Sequence, residues 1–190
     1  MASRNGSSAR AVVAAIKAGD LDAEARLLVA NNPAAGALAF AAEQGVPNLC
    51  IPTKPAAEDA DARLRQAMEA AGVELILLSG YLRRLGPLTL ERYAGRILNI
   101  HPGPLPAFGG EGMYGRRVHE AVIAARAPAS GITVHLVDEE YDRGPILARR
   151  AVPVLAGDTA ETLEARVTAL EPAFFVETLA KLVTGELVLP

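Results

Sequence analysis

An amide and an imidazole stand one residue apart, Asn99 and His101, at the end of the apolar run Arg96-Ile97-Leu98-Asn99-Ile100-His101. In extended geometry successive side chains alternate between faces, so Asn99 and His101 share one side while Ile100 turns to the other, into apolar packing. An imidazole titrates near neutrality and can take or give a proton at working pH, and a neighbouring carboxylate raises its pKa by favouring the charged form. An amide is uncharged and fixed in geometry. It suits hydrogen bonding to an oxyanion as charge develops on a carbonyl oxygen, a stabilisation worth about 3 kcal/mol. Together the pair could run acyl transfer to an amine without a covalent intermediate. Carboxylates for such a site lie in the run Asp138, Glu139, Glu140, Tyr141, Asp142, Arg143, Gly144, Pro145. Acids leading into a Gly-Pro turn are equally the mark of a solvated loop, and the run alone does not select one of them.

Positioning these groups requires strands whose carboxyl ends meet, because in open parallel sheets ligands bind where those ends face helix N-termini. Short Val, Ile and Leu runs at 25–30, 48–51, 74–78, 96–100, 132–137 and 146–154 alternate with helical patterns at 8–18, 34–44, 59–71 and 117–125. That alternation predicts an α/β fold, a doubly wound, mostly parallel sheet with helices on both faces. Leu75, Ile76, Leu77 and Leu78 are continuously apolar, as a strand covered on both faces must be, whereas Arg149 and Arg150 mark the last run as an edge. Gly19, Gly45 and Gly72 follow three of the helices, where a left-handed cap is wanted. Asp158, with Glu161 three residues later, reads as a capping box, and Pro172 predicts either two short C-terminal helices or one kinked helix. From 102 to 115 glycines and prolines forbid regular structure, and a loop this long is usually functional or disordered; here it could cover ligands as a lid.

The 190 residues fit a single domain spanning 1–190, 51% hydrophobic and 22% charged. A formal charge of -3 argues against a nucleic-acid binder, which needs a basic face. Cys50 is the only cysteine, so no internal disulfide forms, and with no leader and no apolar stretch of membrane-spanning length the reading is a soluble, cytoplasmic monomer or homodimer.

Two blocks carry a resemblance. Leu98-Asn99-Ile100-His101-Pro102-Gly103-Pro104-Leu105-Pro106 is followed by Gly131-Ile132-Thr133-Val134-His135-Leu136-Val137 and then by Tyr141-Asp142-Arg143-Gly144-Pro145-Ile146. In this order and spacing they resemble the folate-dependent formyltransferases, and from about Ser3 onward the chain is most similar to the members acting on glycinamide ribonucleotide. The resemblance implies that 10-formyltetrahydrofolate, as co-substrate, presents a formyl group to the amine of glycinamide ribonucleotide, in purine biosynthesis and with no metal. It singles out Asp142 and implies that Asn99 holds the tetrahedral oxyanion, His101 donates and relays the proton, and Asp142 raises the His101 pKa and orders the water that carries it.

It further implies a substrate phosphate at Asn5, Gly6, Ser7 and Ser8, where many relatives have Asn in place of Ser8. Free N–H groups at a helix start favour an anion, though Ser-Ser before a helix is also an ordinary cap. The folate ring is expected against Leu82, Arg83, Arg84 and Leu85, through backbone groups, with Asn99 at its end; by pattern alone the Arg pair is a solvated surface. Lys54 matches loosely a residue meeting the folate glutamate. Glu171 is placed near the ribose and amide, although Pro172 stands where relatives often have His. His135 is expected to be packed and hydrogen-bonded within its strand, and His119 to be structural or on the surface. In such folds the first strand feeds the phosphate loop, yet Met1 falls almost on that loop, so an apolar first strand is expected to be missing, with the true start upstream. The alternatives are a formyltransferase for another small amine, a formyl-folate hydrolase, or a catalytically impaired ligand-binding homologue.

Overall fold

The computed structural model describes residues 1–54 and 56–190. In chain order the elements are α1 (Ser7–Ala18), β1 (Leu28–Ala30), α2 (Gly36–Glu43), β2 (Asn48–Cys50), α3 (Ala57–Ala70), β3 (Ile76–Leu78), α4 (Pro87–Arg92), β4 (Ile97–His101), α5 (Arg116–Ala124), β5 (Ala129–Leu136), β6 (Ile146–Pro153) and α6 (Ala160–Val183). Each predicted strand is present and shorter or shifted by a residue or more; β1 begins at Leu28 because Ala25 and Leu27 pack on the core without pairing.

The strands form two groups, β1-β2 and β3-β4-β5-β6. β1 pairs β2 and β3 pairs β4 in parallel, with Leu78 beside Asn99. β5 and β6 join antiparallel, placing His135 opposite Asn99 and Thr133 opposite His101. The parallel expectation therefore holds for β1 to β4 and gives way beyond them. Only residues 137–145 link β5 to β6, too few for the crossover of a dozen or more residues that a parallel return needs. The Gly144-Pro145 turn makes them a hairpin instead, with β6 on the edge as its arginines foretold.

Residues 1–3 lie between the two groups. Ala2 bridges Ala30 in parallel and donates to Val29, Ser79 donates to the Met1 carbonyl, and Ser3 donates to Gly80. Residues 1–3 thus bridge the carboxyl ends of β1 and β3. β1 and β3 also border a cleft of about 770 Å³, walled by α1 and the end of α6.

The main core is shared by α1, α6 and the larger sheet: Val12, Leu98, Ile132, Val167 and Phe175 all belong to it. This explains why α6 is one helix. Pro172 removes a backbone donor and costs about 3 kcal/mol, but Leu163, Val167, Phe174, Phe175 and Leu179 are buried on the same helix, at about 1.5–3 kcal/mol each. Packing wins. The cap also differs from the expectation: Thr159 and Thr162 form the capping box. Asp158 instead binds Arg166 at 2.7 Å through both oxygens and accepts from the Leu155 N–H, while Glu161 turns out to Arg116.

The pattern at 87–92 escaped the sequence reading. Pro87 starts α4, and its first-turn donors, the N–H groups of Leu88 and Thr89 and the Thr89 hydroxyl, go to Asp61 of α3. A cap supplied by another helix leaves no local signature. It anchors the end of the segment 80–85, which lines the site.

Candidate active site

β4 delivers Asn99 and His101 to one side, as its pleat requires, and buries Ile100 on the other. Asp142 arrives from the loop after β5 in the left-handed conformation, φ 57°. Its Oδ2 lies 3.5 Å from His101 Nδ1 and accepts from the Gly110 N–H at 2.9 Å. The three residues predicted from the sequence therefore meet, although forty residues of chain separate them.

His135 completes the cluster. Its Nε2 is 3.0 Å from Asn99 Nδ2 and 3.4 Å from Asp142 Oδ1. Its Nδ1 donates to the Leu136 carbonyl at 2.8 Å. It is packed and hydrogen-bonded, as expected, but it also orients two members of the site, which the sequence reading missed. The signal was the antiparallel register that sets it opposite Asn99.

The Phe108 carbonyl, 2.7 Å from His101 Nε2, accepts only, so that nitrogen carries the hydrogen and Nδ1 faces Asp142 with its lone pair. Burial disfavours the imidazolium more than Asp142 favours it, and the His101 pKa is lowered. This corrects the expectation of a raised value: the pull of Asp142 is upward, but desolvation is larger. Burial pushes the Asp142 carboxyl up, but the polar groups around it, the Gly110 amide among them, outweigh burial and hold it below its usual value.

The loop 102–115 is fastened to this machinery at several points. Besides Phe108 and Gly110, the Leu105 carbonyl accepts from Arg149, and Thr133 donates to the Gly103 carbonyl. At Gly109 a Cβ would fall 2.2 Å from Leu105 and 2.9 Å from Asp142, so a side chain there would push the carboxylate away.

A cavity of about 90 Å³ opens between 81–85 and 137–142, with Asn99, His135 and Asp142 in its wall. Leu85 is buried in that wall, while Leu82 and Arg83 are exposed. The Arg84 side chain is engaged rather than merely solvated: it donates to the Glu139 carbonyl at 2.7 Å and lies over the Tyr141 ring. Lys54 is exposed.

At the start of α1, Gly6 is the N-cap in the left-handed region, φ 60°, with no side-chain cap. The cap reading of Ser7 and Ser8 therefore fails. Among the described residues the N–H groups of Gly6, Ser7 and Ser8 have no partner, whereas Ala9 donates to Ser79 Oγ. Ser8 is buried. Ser3 Oγ accepts from the Leu82 N–H at 2.8 Å, stitching this loop to the segment 80–85.

Glu171, half-buried on α6, has its pKa pushed up to about 7 by burial and then by Glu164. His119 is fully buried with neither ring nitrogen partnered, and burial lowers its pKa. Among the described residues no group of His, Cys, Asp and Glu is arranged to hold a metal, and no helix is long and apolar enough to cross a membrane.

The sequence and fold have counterparts. The formyl transferase family model matches residues 1–179. The chain belongs to the formyl transferase family. It is 38% identical over 185 residues to the phosphoribosylglycinamide formyltransferase of Bacillus subtilis, covering 95% of this chain and 91% of that protein. To the chloroplastic phosphoribosylglycinamide formyltransferase of Vigna unguiculata it is 42% identical, covering 95% of this chain but spanning only 58% of that protein's length. The crystal structure of phosphoribosylglycinamide formyltransferase from Bacillus halodurans superposes with a TM-score of 0.88 at 35% identity, covering 97% of this chain and 94% of that one. In this member of the family the cluster at 99, 101, 135 and 142 therefore sits in a fold shared along nearly the whole chain.

Proposed function

We propose that this chain transfers the formyl group of 10-formyltetrahydrofolate to the amine of glycinamide ribonucleotide. The observation that carries the reading is the meeting of His101 with Asp142, which lines one cavity together with Asn99, in a chain whose relatives are named for that reaction. The folate ring enters between 82–85 and the loop 138–142, against Asn99. The substrate phosphate takes the loop 5–8, through the free amides of 6–8, Glu171 meets the ribose side, and Lys54 the folate glutamate.

The amine nitrogen attacks the formyl carbon, a C–N bond forms and the carbonyl becomes an oxyanion. Asn99 receives it with the N–H that His135 leaves free. His101 rests neutral, so it first accepts the proton lost by the amine on Nδ1, where Asp142 stabilises the imidazolium, and then returns it to the folate nitrogen as the old C–N bond breaks. Asp142 also orders the water that carries this proton. The products are the formamide and tetrahydrofolate, with atoms balanced and no metal required. The setting is an aqueous compartment, the cytoplasm; the Vigna relative is named chloroplastic.

Release of tetrahydrofolate on mixing the protein with both substrates tests the reading. Turnover that depends on glycinamide ribonucleotide supports it. Turnover with another amine only, or release of formate without any amine, overturns it in favour of a sibling transferase or a hydrolase.

A further inference from the structure

Arg10 stands in the first turns of α1, half-buried, and its contacts all run to the loop and helix that border the amides of residues 6–8. Its Nε donates to the Asn5 carbonyl at 2.9 Å and an Nη donates to the Gly36 carbonyl, also at 2.9 Å. The guanidinium lies over the Phe40 ring, its central carbon 4.6 Å from the ring centre. Its own N–H donates to the Gly6 carbonyl at 2.9 Å, closing the first helical turn. The loop is pressed on α2 where Arg10 holds it: a Cβ at Gly36 would fall 2.5 Å from Asn5 Oδ1.

A trans peptide is planar, with C=O and the following N–H on opposite sides. Fixing the Asn5 carbonyl on Arg10 therefore fixes the Gly6 N–H in the opposite direction, away from the guanidinium. It also keeps a carbonyl, which would repel an anion, from turning toward the free amides. Gly6 needs this restraint, because glycine at φ 60° has little steric preference of its own.

We propose that Arg10 is a positioning residue for the substrate phosphate, which it serves by locking the 5–6 peptide through Nε while an Nη ties it to α2. The proposal rests on reading residues 5–8 as the phosphate site. The role calls for Arg rather than Lys: a rigid fork reaches two carbonyls while it lies over an aromatic ring, whereas an ammonium is a point donor.

Steady-state kinetics of R10Q, R10K and F40L in the full chain test it, alongside competition by inorganic phosphate against glycinamide ribonucleotide. The expected result is a KM for glycinamide ribonucleotide raised about tenfold in R10Q and less in R10K and F40L. The phosphate inhibition constant should rise in step, while kcat and the KM for 10-formyltetrahydrofolate stay within about twofold. An unchanged KM for the ribonucleotide in R10Q, with phosphate still competing in the wild type, overturns the role of Arg10 alone. So does a parallel rise in both KM values, which is general damage. Phosphate that fails to compete in the wild type removes the phosphate reading beneath it. If R10Q does not fold, R10K and F40L carry the same comparison.

Discussion

In His101, burial and charge pull in opposite directions, and their balance sets its resting proton. Desolvation lowers its pKa, Asp142 raises it, and burial is the larger effect. Exchanging Asp142 for Asn keeps an oxygen for the Gly110 amide but removes the charge. We expect D142N to lower kcat by about a hundredfold to a thousandfold, with its thermal midpoint nearly unchanged. The acidic limb of its pH–rate profile should move to lower pH than that of the wild type, itself below the ordinary value of 6.5. A limb that stays in place would mean that His101 is not the group titrating. The shared face of Asn99 and His101 was legible from alternation alone, and Asp142 only from the family resemblance of its motif. His135 was not, because its part follows from which strand lies beside β4.

Helix α6 shows how far local signals reach at the scale of elements. Asp158 and Glu161 have the right spacing for a capping box, but Thr159 and Thr162 form it. T159A should therefore cost about 1 kcal/mol in a urea titration, whereas E161A, which loses only an exposed pair with Arg116, should stay within about 0.5 kcal/mol. Equal costs would contradict the assignment. The same helix carries Glu171, whose folded pKa of about 7 stands above its ordinary 4.5. The folded state thus holds this proton more tightly than the unfolded state, so stability is full below 4.5 and is lost as pH rises through 7. Gln stays neutral, so E171Q should melt higher than the wild type at pH values above 7 and no differently near pH 4.5. A difference independent of pH would point to packing instead.

Across the whole molecule the acid side is governed by groups buried in the forms they hold near neutrality. His101 and His119 both have lowered pKa values because burial disfavours their charged forms. Their stabilisation is complete above 6.5 and is lost as pH falls through their folded values. Asp142, also lowered, adds a loss in the same direction at more acid pH, below 3.8. The melting temperature should therefore drop on acidification from 6.5, and H119F, which cannot take a proton into that unpartnered pocket, should flatten the drop. A slope identical to the wild type would show that His119 is not being protonated on unfolding.

By itself the sequence determined what is local: the helices that stop at Gly19, Gly45 and Gly72, the apolar strand at 76–78, the common face of Asn99 and His101, and the motif that singles out Asp142. The last rests on resemblance to a family, the others on periodicity and backbone freedom along one chain. Only the tertiary structure decided that β5 and β6 run antiparallel, that His135 joins Asn99, that Asp61 caps α4, and that His101 rests neutral. Each of these depends on which distant segments become neighbours and on how much water they exclude. Neither condition is written in any short stretch of residues.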